Sequence, residues 1–118
     1  MMMVLVKTDN HVDGSDQLSA DIEAMLHRSL DRFAQRITRV QAKLFDDNSR
    51  EKDGTEDIRC VIETRPSGLK PIVVSHRAAT IDQAANGAVE KTKKSLERTL
   101  GRLQHRKGQV PFSGPVSD

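Results

Sequence analysis

The sequence predicts an α+β domain of two layers, a four-stranded sheet with two helices packed on one face, in the order β-α-β-β-β-α. Three observations carry this. Four short runs either alternate apolar and polar residues or are rich in β-branched ones, as strands do. Two longer stretches repeat apolar residues every three or four positions, as amphipathic helices do. A chain of 118 residues holds one core, not two.

The first strand is the run Met-Val-Leu-Val-Lys-Thr at residues 3–8. A turn from Asn10 to Gly14 follows, and Ser15 is placed to cap a helix that starts at Asp16. Apolar residues then fall at Leu18, Ile22, Leu26, Leu30, Phe33 and Ile37, so a helix is expected over 16–36. From Arg39 to Phe45 the pattern turns to alternation, with Val40, Ala42 and Leu44 on one side. A polar segment from Asp46 to Asp57 leads to a third strand at 58–64, with Ile58, Cys60 and Ile62 on one face. Arg65-Pro66-Ser67-Gly68 supplies turn chemistry before a fourth strand at 72–77. Thr80 and Gln83 have capping-box spacing. The helix they open should run to about residue 106 with Ile81, Ala85, Val89, Leu96, Leu100 and Leu103 on its apolar side, and Gly108 should end it. One domain is expected over 1–107, with 108–118 a flexible tail holding two Pro and a further Gly after Gly108.

A helix crossover allows the first two strands to pair in parallel, and the loop-joined strands should be antiparallel. The outer sheet face then carries Arg39, Lys43, Arg59, Glu63 and Arg65 toward water.

Charge is segregated along the chain. The total is +2, from 19 Lys and Arg against 17 Asp and Glu. Residues 80–107 hold seven Lys/Arg and three Asp/Glu, a net of +4, and residues 46–57 hold six acids and two bases, a net of −4. At about 100° per residue, Lys91, Lys94, Arg98 and Arg102 occupy a sector about 80° wide, with Glu90 and Glu97 outside it. On the first helix Arg28, Arg32 and Arg36 follow one another at intervals of four, and Arg39 continues the row. Two such rows side by side would form a surface for a phosphate backbone, which Lys and Arg bind without reading sequence. A charged row on a helix is also what an ordinary solvated face looks like, and both readings stand at this point.

No catalytic constellation is visible. His11, His27, His76 and His105 lack metal-ligand spacing, and Cys60 shares a face with Ile58 and Ile62, as a buried structural thiol would. The acids of 46–57 lack a calcium-loop layout. There is no phosphate-binding glycine loop, and Gly87 and Gly101 inside the second helix are expected to permit close packing. With no Trp or Tyr and three Phe, base stacking on aromatic faces is excluded as a main device. The expectation is a protein with no cofactor, no metal, no small-molecule substrate and no enzymatic activity. A single cysteine and the lack of an apolar run of signal or membrane length point to the cytoplasm and away from the membrane.

Two stretches carry a family likeness: residues 32–40, Arg-Phe-Ala-Gln-Arg-Ile-Thr-Arg-Val, and 80–85, Thr-Ile-Asp-Gln-Ala-Ala, leading into Glu90-Lys91-Thr92-Lys93-Lys94-Ser95-Leu96. With these, over about residues 3–107, the chain resembles the ribosome hibernation-promoting factors, also described as ribosome-associated inhibitors or sigma-54 modulation proteins, in their short form. Lys7-Thr8-Asp9-Asn10-His11 and Thr99-Leu100-Gly101-Arg102-Leu103 add to the likeness with a short subgroup. The resemblance implies a fold related to double-stranded RNA-binding domains. It implies a monomer that binds ribosomal RNA of the small subunit and blocks the channel for messenger and transfer RNA by occupancy. By position, Arg36, Lys91, Lys94 and Arg98 match the family's RNA contacts; Arg28, Arg32 and Arg102 join them from the charge map alone. The chain departs from the family in its long acidic segment, in Glu97, Thr99 and Leu100 where Lys is common, and in its scarce aromatics. The alternative is a regulatory protein-interaction module on the same fold that does not bind ribosomes.

Overall fold

Alternation along the strands decides which side chains meet the helices. The computed structural model describes residues 2–9, 16–46 and 57–108, with side chains described as far as Gly101. Its elements are β1 (Met3–Thr8), α1 (Asp16–Ser29), a short 3-10 helix, η1 (Asp31–Arg36), β2 (Ile37–Asp46), β3 (Ile58–Pro66), β4 (Ile72–Ala78) and α2 (Ile81–Gly108). The four strands form one sheet in the order β1-β2-β3-β4. β1 and β2 run parallel, and the other two pairs are antiparallel. The expected α+β architecture holds.

The inner sheet face presents Val4, Val40, Ala42, Leu44, Cys60 and Ile62, all buried. α1 packs against β1, and α2 covers β3 and β4. The helical layer closes the core with Ile22, Leu26, Leu30, Phe33, Ala84, Ala85, Ala88, Val89 and Leu96. Among these, Leu26, Leu30, Leu44 and Leu96 are completely excluded from solvent. Burial of each leucine-sized side chain contributes about 1.5–3 kcal/mol.

Two expectations need correction. The first helix does not run to residue 36. It ends at Ser29, and the chain turns at Leu30 (φ −106°, ψ 12°) before tightening into η1. The Leu30 amide still donates to the Leu26 carbonyl, whereas the Phe33 amide donates to Leu30, three residues back. The apolar run is compatible with this break. Its one spacing of three joins Leu30 to Phe33, and in a 3-10 helix residues three apart eclipse. Both residues are thereby driven into the core. The second correction concerns the β3–β4 turn. β3 continues through Pro66, and the reversal runs from Pro66 to Leu69, whose amide donates to the Pro66 carbonyl at 3.3 Å. Gly68 sits there at φ +71°, where a side chain would be strained.

α2 begins as its cap predicts, with the Gln83 amide donating to Thr80 Oγ1 at 3.1 Å. It extends to Gly108, slightly beyond the expected end. Gly87 is required by contact, since a Cβ there would lie 2.0 Å from the His76 ring. His76 therefore packs under α2 from β4. At Gly101 an added Cβ meets nothing within 4 Å among the described residues, so close packing against them does not explain that glycine. Ser15, most of the acidic segment (47–56) and the tail beyond 108 lie outside the described residues.

Candidate nucleic-acid interface

α2 displays its cations because its opposite side is occupied by the core. Leu96, Thr92 and Val89 face the sheet, and Thr92 satisfies its buried hydroxyl on the Ala88 carbonyl at 2.9 Å. Lys91, Lys94 and Arg98 are all exposed. The Lys91 ammonium reaches the Ser75 carbonyl on the edge strand β4, at 2.8 Å. This places the row on the flank of α2 that overlooks β4.

The other flank of α2 faces η1. There Glu97 forms an ion pair with Arg32, both about half exposed. The Arg32 guanidinium also lies 4.6 Å from the centroid of the Phe33 ring. Around α2 from Glu97, Lys94 lies about 60° away, Arg98 about 100° and Lys91 about 120°. The two basic rows therefore do not abut directly. An acid stands where they approach, and Lys94 at the crest of α2 is the nearest member of its row to η1.

The first row is also reshaped by the break at Leu30. Arg28 closes α1, while Arg32 and Arg36 belong to η1. In a 3-10 helix a step of four turns the side chain by about 120°, not the 40° of an α-helix. Arg28, Arg32 and Arg36 are each exposed but point in different directions. Arg36 also anchors the β3–β4 turn, because its carbonyl accepts from the Ser67 amide at 2.9 Å. Arg102 lies in α2, but its side chain is outside the described residues.

Alternation in the sequence puts Arg39, Lys43, Arg59, Glu63 and Arg65 on the outer sheet face. The register adds Lys7 and Arg77 to that face, beside Lys43 and Arg59 respectively. Strand order was the missing information. Strand alternation gives each side chain its face, but only the pairing says which cations are neighbours.

The remaining reactive groups are quiet. Cys60 is fully buried, and desolvation pushes its thiol up to about 12 from 9.0. Among the described residues no cluster of His, Cys, Asp or Glu could hold a metal ion. No helix there is long and apolar enough to cross a membrane.

A four-stranded sheet with its helices on one face and exposed cations along the second helix defines a small two-layer domain of the α+β class. The chain belongs to the family described as "Sigma 54 modulation protein / S30EA ribosomal protein", which matches residues 5–104. That is a ribosome-associated family and not an enzyme class. Solved structures share the fold, among them the following two. The N-terminal domain of Protein Y from Thermus thermophilus is 20% identical with a TM-score of 0.65, covering 84% of this chain and 99% of its own. A ribosomal subunit interface protein from Coxiella burnetii is 13% identical with a TM-score of 0.61, covering 83% of this chain and 98% of its own. A search of curated protein sequences finds no match.

Proposed function

We propose that this protein is a translation-inhibiting hibernation factor that binds ribosomal RNA of the small subunit and blocks the messenger and transfer RNA channel by occupying it. The observation that carries this is the exposed sector of Lys91, Lys94 and Arg98 on α2, separated from Glu90 and Glu97, in a chain of a ribosome-associated family. Lys94 and Arg98 are its central contacts. Arg28, Arg36 and Arg102 add contacts from outside that sector, and Arg32 joins them on exchanging Glu97 for a phosphate. The domain of residues 1–107 acts as a monomer in the cytoplasm, breaks no bond and takes no small-molecule substrate.

Sucrose-gradient sedimentation with ribosomes and separated subunits tests this. The protein should co-migrate with the small subunit and the intact ribosome at low salt. With about five phosphate contacts, affinity should fall roughly 10²–10³-fold between 50 and 200 mM salt, taking the B-DNA slope as a guide. Lys94→Glu with Arg98→Glu should leave the protein at the top of the gradient. Wild-type protein that stays there at low salt overturns the proposal and favours a protein partner.

A further inference from the structure

The side of the sheet away from the helices is built from like charges set against one another. Lys7 lies opposite Lys43 across β1 and β2. Arg39 lies opposite Arg65 across β2 and β3. Arg59 lies opposite Arg77 across β3 and β4. Each pair points away from the core, since the intervening residues Val40, Ala42, Leu44, Cys60, Ile62 and Thr64 are buried. Like charges directly opposite in a sheet cost stability, and here the arrangement occurs three times.

Among the strand residues one acid, Glu63, points to the same side, 3.4 Å from Arg65, while Arg59 and Arg77 each have an interaction of their own. Lys7, Arg39 and Lys43 have no ion pair among the described residues. Such a face is relieved by a polyanion.

The chemistry of the face selects which kind. Its exposed large apolar residues, Met3 and Val73, sit on opposite edge strands, β1 and β4, and the half-buried Leu5 and Val61 are separated by Gln41 and Lys43 of β2, so the apolar surface is broken up rather than gathered as at a protein interface. Its aromatic ring, Phe45, is stacked by the Arg59 guanidinium at 4.3 Å, so bases have no open platform. The strongest feature of the face is its set of cations. The Lys7–Lys43 and Arg59–Arg77 rows lie about 7 Å apart along the strands, and the Arg39–Arg65 row about 13 Å beyond Lys43.

We propose that the outer sheet face is a second RNA-binding surface, contacting phosphodiester backbone without reading bases, so that the domain is held between two RNA segments. One segment meets the α2 row and the other meets the sheet. The choice of RNA as the polyanion rests on the ribosomal reading above.

The test uses the full chain and an RNA duplex of about 16 base pairs, the span of a double-stranded RNA-binding domain. Binding is followed by fluorescence anisotropy from 50 to 200 mM salt. Lys7→Gln with Lys43→Gln should weaken binding about tenfold at 50 mM and shrink the salt-induced loss by about tenfold, as expected for two lost phosphate contacts. The same variant should melt no lower than wild type, because it removes a repulsive pair. Lys70→Gln with Lys93→Gln removes equal charge elsewhere and should keep the wild-type slope. A sheet variant that behaves like this control, or wild-type protein that ignores the duplex, overturns the proposal.

Sedimentation of the same proteins with ribosomes separates the two claims. Sheet-dependent duplex binding without ribosome co-migration overturns the ribosomal reading and supports the sheet surface. Co-migration with a duplex titration indifferent to Lys7 and Lys43 overturns the sheet surface alone. Co-migration that needs those lysines while the duplex titration does not assigns the face to a ribosomal protein, and overturns the RNA proposal.

Discussion

The two faces of this one sheet divide the work between them. The inner face carries Val40, Leu44, Cys60 and Ile62, each no more than 1% exposed, against the helices. The outer face, offset by one residue along the same strands, carries Arg39, Lys43, Phe45, Arg59 and Glu63. Stability comes from the first and is partly surrendered on the second, where cations oppose cations. The difference teaches that binding residues on this fold can change without touching the core, because a strand's period of two keeps them on separate sides.

The comparison breaks most sharply in the core. Leu26→Ala, at a fully buried position on α1, should cost about 2–5 kcal/mol in urea unfolding, from lost transfer energy and the cavity left behind. Its salt dependence of ribosome binding, measured on the folded fraction, should stay that of wild type. A changed slope would show that the inner layer shapes the binding surface after all.

A smaller loss is expected where α2 meets β4. Gly87→Ala should gain up to about 1 kcal/mol of helix propensity. It must also displace the His76 ring from 2.0 Å, and overpacking of this kind costs about 1–3 kcal/mol. The net should be destabilising by thermal unfolding. In the background of His76→Ala the same change should become stabilising, and equal effects in both backgrounds would refute the contact.

The smallest effect has the opposite sign. Thr64 is fully buried on β3 and its hydroxyl has no hydrogen-bond partner among the described residues. Thr64→Val keeps the shape and removes the unsatisfied group, so it should stabilise the protein by about 1 kcal/mol. A loss on chemical denaturation would mean that the hydroxyl does find a partner.

Much of this division is legible in the sequence. Alternation assigns Val40, Ala42 and Leu44 to one side, and Thr80 with Gln83 fixes the start of α2. The break at Leu30 is harder to see. Its only signal is a spacing of three between Leu30 and Phe33, which an α-helix also tolerates, so tertiary burial of both residues decides it. The α2 sector could be drawn from rotation per residue. Its neighbour could not, because helix crossing and the Glu97–Arg32 pair depend on packing between elements far apart in the chain. The opposed cations of the outer face needed the strand order for the same reason.

Site-directed hydroxyl-radical cleavage tests the central claim most directly. Cys60 is buried with its thiol held protonated, so a single added cysteine takes an iron chelate selectively. With the chelate at Glu90→Cys on α2, ribosomes carrying the protein should be cut in small-subunit RNA, at positions lining the messenger and transfer RNA channel. Cleavage confined to large-subunit RNA, or none on ribosomes that hold the protein, would contradict the account.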